Sequence, residues 1–199
     1  IGELQLKAGD FGEAANYYSK LEKIAISKRQ ENDAWAGLLE AHFNLGQYDQ
    51  MRTYARNIIT KGNISQDQVN KAQLYLAKAS YIEGNFNVAI DELLSTINTA
   101  KNKYGAEAQF LLGKIFYQQG QYQQSLTTLF EFNENFSDHE EWLGKAFLLI
   151  ADNYIALNEL FQAKATVNSI IEYSEVVEVV EEARKKLSEI EKMEEALRQ

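Results

Sequence analysis

The sequence contains no proline and no cysteine, and it has only 11 glycines among its 199 residues. Average usage of about 5% would give roughly ten prolines in a chain of this length. Strand-rich sandwiches depend on such turn residues, whereas long helices exclude them, so the composition favours an all-α protein. The lack of cysteine excludes disulfides, thiolate metal ligands and thiol nucleophiles.

An excess of positive charge and a long apolar run are also missing. The formal net charge is −9. Broad nucleic-acid binding requires clustered cations that neutralise phosphates, so we expect no nucleic-acid partner. No run of 18 apolar residues occurs, so we expect no direct membrane span. The 45% hydrophobic content is ample for a packed core.

One short turn pattern returns along the chain. It consists of a glycine, a polar residue, an aromatic residue and a small or apolar residue three positions later, as in "NLGQYDQM" at 44–51. The turn residues are Gly9, Gly46, Gly84, Gly120 and Asn158, separated by 37, 38, 36 and 38 residues. Periods of 20–50 residues indicate stacked structural repeats, and each repeat here has room for two helices. Each turn residue is predicted to be left-handed and to end a first helix.

Apolar and small residues recur at fixed positions relative to each turn. The aromatic residue or leucine two positions after the turn is predicted to begin the buried side of the second helix. These residues are Phe11, Tyr48, Phe86, Tyr122 and Leu160. Five positions after the turn stand Ala14, Met51, Ala89, Ser125 and Ala163, and nine positions after it stand Tyr18, Ala55, Leu93, Leu129 and Val167. Small residues are needed where paired helices approach closely, and bulky ones fill the space between them.

With these residues the chain resembles the tetratricopeptide repeat (TPR) family, best in "WAGLLEAHFNLGQYDQM" and "FLLIADNYIALNELFQA". The resemblance covers residues 1–174 and implies a right-handed α-solenoid of about five helical hairpins. The period exceeds the usual one of about 34 residues, and the proline common after the second helix is missing. The layout of 133–157 is similar to TPR proteins of Gram-negative envelopes. That similarity implies a periplasmic or outer-membrane-associated location, with the cytoplasm as the alternative.

The period also predicts where repeats begin and end. We expect repeats at 1–27 (partial), 28–64, 65–102, 103–138 and 139–174. Within "NISQ" at 63–66, Ser65 is interpreted as a helix N-cap, with Gln68 three residues later. Ile1 and Gly2 correspond to the middle of a first helix and no initiator methionine precedes them, so we expect a piece of a longer repeat protein.

The segment 175–199 lacks the turn pattern but has the periodicity of one helix. Its apolar positions alternate spacings of four and three, and they are Val176, Val180, Ala183, Leu187, Ile190 and Leu197. We interpret the segment as a capping helix that covers the fifth repeat, as terminal repeats of such arrays require. A short coiled-coil contact with a partner is the alternative.

No catalytic or metal-binding pattern is found. The carboxylates stand in no recognisable frame with a nucleophile, a phosphate-binding loop or a metal-binding doublet. His42 occupies a packing position usually held by an aromatic residue, so it is predicted to be buried or partly buried. His139, in "SDHEEW", is predicted to decorate a helix start rather than to bind a metal with Asp138 or Glu140. We therefore expect no enzyme and no cofactor.

In the TPR family, the first helix of each hairpin lines a concave surface through the residues thirteen, ten, six, three and two positions before the turn. Here those positions hold Asp33, Ala36, Glu40, Phe43 and Asn44; Lys71, Leu74, Lys78, Tyr81 and Ile82; Glu107, Phe110, Lys114, Tyr117 and Gln118; and Lys145, Leu148, Asp152, Ile155 and Ala156. Four lysines and two tyrosines fall on repeats three to five, although Glu107 and Asp152 share that face. Tyrosine offers apolar area and a hydroxyl, and lysine pairs with carboxylates.

This face gives the functional hypothesis. The chain is predicted to be a non-catalytic scaffold that binds a protein, or an acidic peptide segment, in the concave groove. The predicted partner-binding residues are Lys71, Lys78, Tyr81, Lys114, Tyr117, Gln118 and Lys145. The sixth position before the turn never holds asparagine, so a clamp for a C-terminal carboxylate is not expected. The alternatives are a solvated face without function, a glycan- or small-ligand-binding domain of the cell envelope, and a structural spacer.

Overall fold

The structure, a computed structural model, describes residues 1–61 and 65–197, and all regular secondary structure within these ranges is α-helical. The helices are α1 (Gly2–Ala8), α2 (Phe11–Ile24), α3 (Lys28–Asn44), α4 (Tyr48–Thr60), α5 (Gln66–Ile82), α6 (Phe86–Thr99), α7 (Lys103–Gln118), α8 (Tyr122–Asn135), α9 (Glu140–Ala156), α10 (Leu160–Tyr173) and α11 (Val177–Ala196). Consecutive helices form five hairpins followed by α11. The prediction of an all-α repeat fold is confirmed.

The chain divides into two compact units, Ile1–Thr96 and Ile97–Gln199. In unit 1, α3 packs against both α1 and α5, and α2 and α4 fill the spaces between these first helices. In unit 2, α9 packs against both α7 and α11, and α8 and α10 occupy the equivalent places. In each unit the first helices of successive hairpins therefore lie side by side as one layer, and the second helices form another.

The five hairpin turns share one backbone geometry. The predicted left-handed residues all have positive φ, from 59° at Asn158 to 81° at Gly9. In each turn the residue after the left-handed one donates its N–H to the carbonyl five positions earlier; in the second hairpin Gln47 N–H reaches the His42 carbonyl at 2.9 Å. This 6→1 bond is the Schellman motif, and it satisfies a carbonyl that the helix end would leave unpaired. The prediction for the turns is confirmed.

The second helices begin at the residues that the pattern singled out, Phe11, Tyr48, Phe86, Tyr122 and Leu160. Close helix approach explains the small residues of the pattern. A Cβ added to Gly113 on α7 would lie 2.6 Å from a methyl carbon of Leu129 on α8. Because real side-chain carbons do not approach that closely, this helix pair requires glycine at its crossing point.

The core of unit 1 is apolar and aromatic. Trp35, Leu39, Met51 and Ile58 are almost fully buried, and Phe43, Tyr48 and Tyr75 pack against them from partly buried positions. The Trp35 indole N–H donates to Glu22 Oε1 at 2.9 Å. The polar edge of the tryptophan is thus satisfied, as a buried ring of this type requires.

The core of unit 2 contains a buried polar network between its apolar clusters. Ser125 donates to the Gly113 carbonyl at 2.8 Å and accepts from Asn153 Nδ2 at 2.9 Å. Gln109 donates to the Thr128 carbonyl at 2.8 Å. The Oδ1 atom of Asn153 is buried without a hydrogen-bond partner. Phe132 and Leu129 pack beside this network.

Side chains cap the starts of three first helices, α3, α5 and α7. Ser65 accepts the N–H of Gln68 at 3.3 Å, so its predicted role as an N-cap is confirmed. Ser27 and Asn102 cap α3 and α7 in the same way. The preceding residues of "NISQ", 63 and 64, and with them the predicted repeat boundary at 64, lie outside the described residues.

Helix α11 covers the fifth hairpin as predicted, but its register differs. Ala183 and Ile190 are buried as expected, whereas Val179 is buried in place of the predicted Val180. Leu197, predicted to belong to the apolar side, is 69% exposed. Val179 is buried because α11 approaches α9 closely at this residue. A Cβ added to Gly144 would lie 2.7 Å from Val179 Cγ1, so that glycine accommodates the valine.

Candidate functional site

The exposed positions of the first-helix layers form a surface that we call the inner face. In unit 1 it is carried by α1, α3 and α5, and in unit 2 by α7, α9 and α11. All seven residues predicted to bind a partner lie at partly buried or exposed positions of this face. Lys71, Lys78 and Tyr81 are on α5 in unit 1, and Lys114, Tyr117, Gln118 and Lys145 are on α7 and α9 in unit 2.

The two lysines of unit 1 that were predicted to bind a partner, Lys71 and Lys78, have partners within the chain. Lys71 Nζ lies 2.5 Å from Glu40 Oε2 and 5.6 Å from the ring centre of Tyr75. Lys78 Nζ lies 5.4 Å from the ring centres of both Phe43 and Tyr75. These ring contacts hold the ammonium groups over aromatic faces, which attract cations. The lysines are thus part of a mixed cationic and aromatic surface.

A groove of about 550 Å³ opens on the inner face of unit 1. Its lining includes three carboxylates, Glu3, Asp33 and Glu40, and two lysines, Lys7 and Lys71. Both lysines already pair with lining carboxylates, Lys7 with Glu3 at 3.1 Å and Lys71 with Glu40. Acidic side chains therefore outnumber basic ones, and this groove has no excess of positive charge.

Tyr18, on α2, lines the same groove, and the pKa of its hydroxyl reflects the acidic surroundings. Burial raises the pKa of its hydroxyl, and the nearby carboxylates Glu3, Glu40 and Asp33 raise it further. Tyr17 lines the groove beside it, with the two rings edge to face at 5.4 Å. Sequence reasoning missed both tyrosines because it searched first helices only. Their signal was the large aromatic Tyr18 at a position where later hairpins place Ala55, Leu93 and Val167.

The inner face of unit 2 has a different charge distribution. Lys114 is partly buried and forms no ion pair with any residue that the structure describes. Tyr117, one turn further along α7, contacts the ring of Tyr122 at 5.6 Å. Burial raises the pKa of the Tyr117 hydroxyl, and Asp152 on the adjacent first helix adds to the rise. Gln118 is exposed beside it.

Two further inner-face charges of unit 2 are paired. Lys145 lies 2.5 Å from Glu141 Oε1 and 4.4 Å from the ring centre of Trp142. Asp152 accepts a hydrogen bond from Lys186 of α11. Lys114 is thus the predicted partner-binding lysine that keeps its charge available in unit 2.

For two other residues, the prediction that they lie on the accessible inner surface is wrong. Leu74 is 1% exposed and Leu148 is 5% exposed, so neither is available to a partner. Both lie ten residues before a turn, and Leu148 packs in a cluster with residues of α10 and α11. Phe110 at the equivalent position is partly buried and contacts Trp142 at 5.5 Å.

Both histidines contact aromatic rings, His42 that of Tyr54 and His139 that of Phe136. His42 is partly buried as predicted; its ring stacks on Tyr54 at 5.6 Å, and its Nδ1 lies 2.6 Å from Gln47 Oε1. His139 occupies the N-cap position of α9, at the helix start where it was predicted. In residues 1–61 and 65–197 no three acidic or histidine side chains converge as a metal site would require. The helices of these ranges are all too short or too polar to cross a membrane.

Five hairpins with left-handed turns, and first helices that lie side by side within each unit, define a helical-repeat fold. Residues 107–139 match the sequence model of the tetratricopeptide repeat. The predicted TPR resemblance is therefore confirmed.

Solved structures agree with that assignment of the fold. The crystal structure of MamA matches 96% of this chain and 97% of its own length, with a TM-score of 0.62 and 18% identity. The C-terminal part of a TPR repeat-containing protein from Cytophaga hutchinsonii matches 95% of this chain and 77% of its own length, with a TM-score of 0.66 and 14% identity. At these identities the likeness concerns the fold alone. No curated protein matches the sequence significantly.

Proposed function

We propose that this chain is a non-catalytic scaffold that binds a segment of a partner protein on the inner faces of its hairpins. The observation that supports the proposal is the side-by-side packing of first helices in each unit, because these helices carry the candidate lysine and tyrosine side chains. Tyrosine supplies rigid contact area with a polar tip, and lysine supplies charge. This combination is typical of peptide recognition.

For the acidic segment proposed as the ligand, Lys114 and Tyr117 are the central contacts in unit 2. Lys114 has no ion pair with residues 1–61 or 65–197 to give up, so a partner carboxylate gains its charge without breaking an ion pair within that part of the chain. The Tyr117 ring lies one turn away on the same side of α7, and Gln118 adds an exposed amide. Lys145 contributes less, because Glu141 already neutralises it.

In unit 1 the proposed contacts are Lys71, Lys78 and Tyr81 on α5. The Tyr81 ring packs against Phe86 at 6.0 Å, which fixes its orientation. Lys71 and Lys78 are held over aromatic rings, so less side-chain freedom is lost when a partner binds. The groove that includes Glu3, Asp33 and Glu40 is more acidic, and we do not assign it to the acidic segment.

Photocrosslinking tests where the partner lies. Benzoylphenylalanine replaces Tyr117 on the inner face, with Phe130 on α8 as the matched control because it is an aromatic residue of unit 2 with 50% exposure. Tyr81 and the 45% exposed Leu94 give the equivalent pair in unit 1. The proposal expects a discrete protein adduct from the inner-face positions and none from the controls. Adducts from both classes alike, or none at all, would contradict it.

Charge reversal tests the acidic character of the captured protein. Lys114→Glu is compared with Lys20→Glu, a reversal at an exposed position of the second helix α2, outside the inner face. We expect the first variant to weaken binding about tenfold and the second to leave it within about twofold, since only close charge pairs change affinity strongly. Equal effects of both variants would show that net charge, not the inner face, controls binding. Circular dichroism confirms that both variants are folded.

The same experiment separates the other functional classes. A glycan-binding domain would bind a free oligosaccharide at the inner face and yield no protein adduct there, and a structural spacer would bind neither. The location in the periplasm or at the outer membrane stays a prediction, with the cytoplasm as its alternative.

A further inference from the structure

A second cavity lies in unit 2 at the hairpin ends opposite the left-handed turns. It has a volume of about 340 Å³ and is bordered by the last turns of α8 and α10 and the first half of α9. We call it the end pocket. None of the predicted partner-binding residues lines it, so it is separate from the contacts proposed above.

The end pocket has an apolar interior. Leu143, Phe147 and Ile170 line it, and Ile170 is 4% exposed. Gly144 lies between the first two on α9, and Val179 packs against it so closely that a methyl group would not fit. One wall of the pocket is therefore fixed by the contact of α9 with α11, and the pocket is a preformed feature of the fold.

The border of the end pocket is acidic. It carries the carboxylates of Glu140 and Glu175, and no lysine, arginine or histidine lines it. Neither carboxylate forms an ion pair with any residue that the structure describes. Glu141, the neighbour of Glu140, shows the contrast, because Lys145 neutralises it at 2.5 Å. Unpaired carboxylates beside an apolar cavity create a negative electrostatic potential, which attracts a cation.

Helix ends add to this negative potential. α8 ends at Asn135 and α10 ends at Tyr173, and both C-terminal ends border the end pocket. The C-terminal end of a helix carries partial negative charge, which favours a cation. The opposing positive end of α9 is covered by the two glutamates of its first turn, Glu140 and Glu141. The Tyr173 ring, 73% exposed at the border, offers a further surface that attracts cations.

We propose that the end pocket binds a lysine or arginine side chain of a partner protein. The aliphatic stem of such a side chain packs on Phe147, Leu143 and Ile170, and its charged group lies between Glu140 and Glu175. Long basic side chains combine an apolar stem with a charged end in this way. A free anion is disfavoured by the carboxylates, and a purely apolar side chain leaves them without a partner.

The test uses the complete ¹⁵N-labelled chain and two small probes of nearly equal shape. N-acetyl-lysine methylamide carries the cation, and N-acetyl-norleucine methylamide replaces it with a methyl group. We expect the lysine probe to shift the amide signals of Gly144, Ser169 and Ser174 saturably, with a dissociation constant on the order of 1 mM. The norleucine probe should bind several-fold more weakly. Equal binding of both probes, or shifts confined to other residues, overturns the proposal.

Matched variants identify the carboxylates. Glu140→Gln and Glu175→Gln should each weaken lysine-probe binding about two- to fivefold, as expected for partly exposed ion pairs. Glu141→Gln removes the same charge from the same helix turn but lies outside the pocket, so binding should change by less than about twofold. If Glu141→Gln acts as strongly as Glu140→Gln, the effect is the general field of α9 and the proposal fails.

A last arm distinguishes a protein side chain from a free polyamine. Spermidine is titrated against the same signals. On our proposal it binds no more tightly than the lysine probe once its three charges are allowed for. Saturation of the pocket by spermidine at concentrations a hundredfold lower would identify a small-molecule site and overturn the assignment to a protein partner.

Discussion

Hairpins of the two units fill the same packing position with different side chains. Eleven residues before the turn, the second hairpin, in unit 1, has Trp35, and the fourth hairpin, in unit 2, has Gln109; these side chains are 2% and 1% exposed. The tryptophan donates to Glu22, whereas the glutamine donates to the Thr128 carbonyl. The repeat therefore fixes where a side chain is buried but not its chemistry, provided that each buried polar group finds a partner.

Further along the same hairpins the contrast continues. The second hairpin places Met51 five residues after the turn, whereas the fourth places Ser125 there, and both are fully buried. The methionine fills space within an apolar cluster, and the serine joins a hydrogen-bonded network with Gly113 and Asn153. Stability should accordingly depend on volume around Trp35 and Met51 and on hydrogen-bond satisfaction around Gln109 and Ser125.

The largest effect is expected at Trp35. Trp35→Ala leaves a large cavity in unit 1, and we expect the free energy of unfolding to fall by about 3–5 kcal/mol. Trp35→Phe keeps most of the volume but loses the bond to Glu22, so its cost should be clearly smaller. Urea unfolding followed by circular dichroism measures both, and amide hydrogen exchange assigns the loss to unit 1. A cost below 1 kcal/mol for Trp35→Ala would show that volume is not what stabilises this unit.

The next effect is expected at Ser125. Ser125→Ala deprives the buried Asn153 amide of an acceptor and the Gly113 carbonyl of a donor, so unfolding should become easier by about 1–3 kcal/mol. Thr127→Ala, on the exposed side of the same helix, should change stability by less than about 0.5 kcal/mol. The same urea titration compares them. Equal costs for the two variants would mean that the network contributes nothing to unit 2.

The turns should not distinguish the units. Gly46 and Gly120 have φ of 70° and 73°, and a Cβ added to either meets no atom within 4 Å. Gly46→Ala and Gly120→Ala should therefore each cost about 1–2 kcal/mol, entirely from the left-handed backbone. Thermal unfolding of the two variants tests this equality. A difference above 1 kcal/mol would reveal a contact of one turn that the present geometry does not contain.

The smallest effect depends on pH and concerns Glu92 in unit 1. Burial raises the pKa of its carboxyl above the ordinary value, although Ser80 donates to it at 2.7 Å. A raised pKa contributes stability below the ordinary value, and that contribution is lost as the pH rises through the shifted value. Glu92→Gln should thus stabilise the chain at about pH 7 and have little effect at about pH 4.

One comparison controls the Glu92 measurement. Glu83 has the opposite sign, because the hydrogen bond from Arg52 lowers the pKa of its carboxyl. Its contribution is present above the ordinary value and is lost as the pH falls. A Glu92→Gln variant that is equally stabilising at both pH values would contradict the assignment.

Sequence predicted the turns and helix starts well because their causes are local. A glycine at a left-handed position and an apolar residue two positions later specify a hairpin turn without reference to the rest of the chain. The start of α4 at Tyr48 and the positive φ of Asn158 both follow from that pattern. The register of α11 was harder, since it depends on which valine Gly144 accommodates.

Charge pairing on the inner face was missed because its causes are distant in sequence. Lys71 and Glu40 are 31 residues apart, and only the packing of α3 against α5 brings them together. A signal was present nevertheless. Glu40 and Asp152 both lie six residues before a turn, and each pairs with a lysine on the following first helix, Lys71 and Lys186. The end pocket follows no turn-based numbering, so the repeat pattern gave no indication of it.

The Schellman bond that closes every hairpin also bears on how the chain reaches its fold. The bonded residues are five apart in sequence, as Gln121 and Phe116 are, so closing a turn requires almost no search through chain conformations. Structures dominated by such short-range contacts fold quickly, and arrays of repeats can nucleate at any member. We expect folding to begin independently at several hairpins. A mutation in one turn should therefore slow the folding that begins at that hairpin and not the folding that begins at the others.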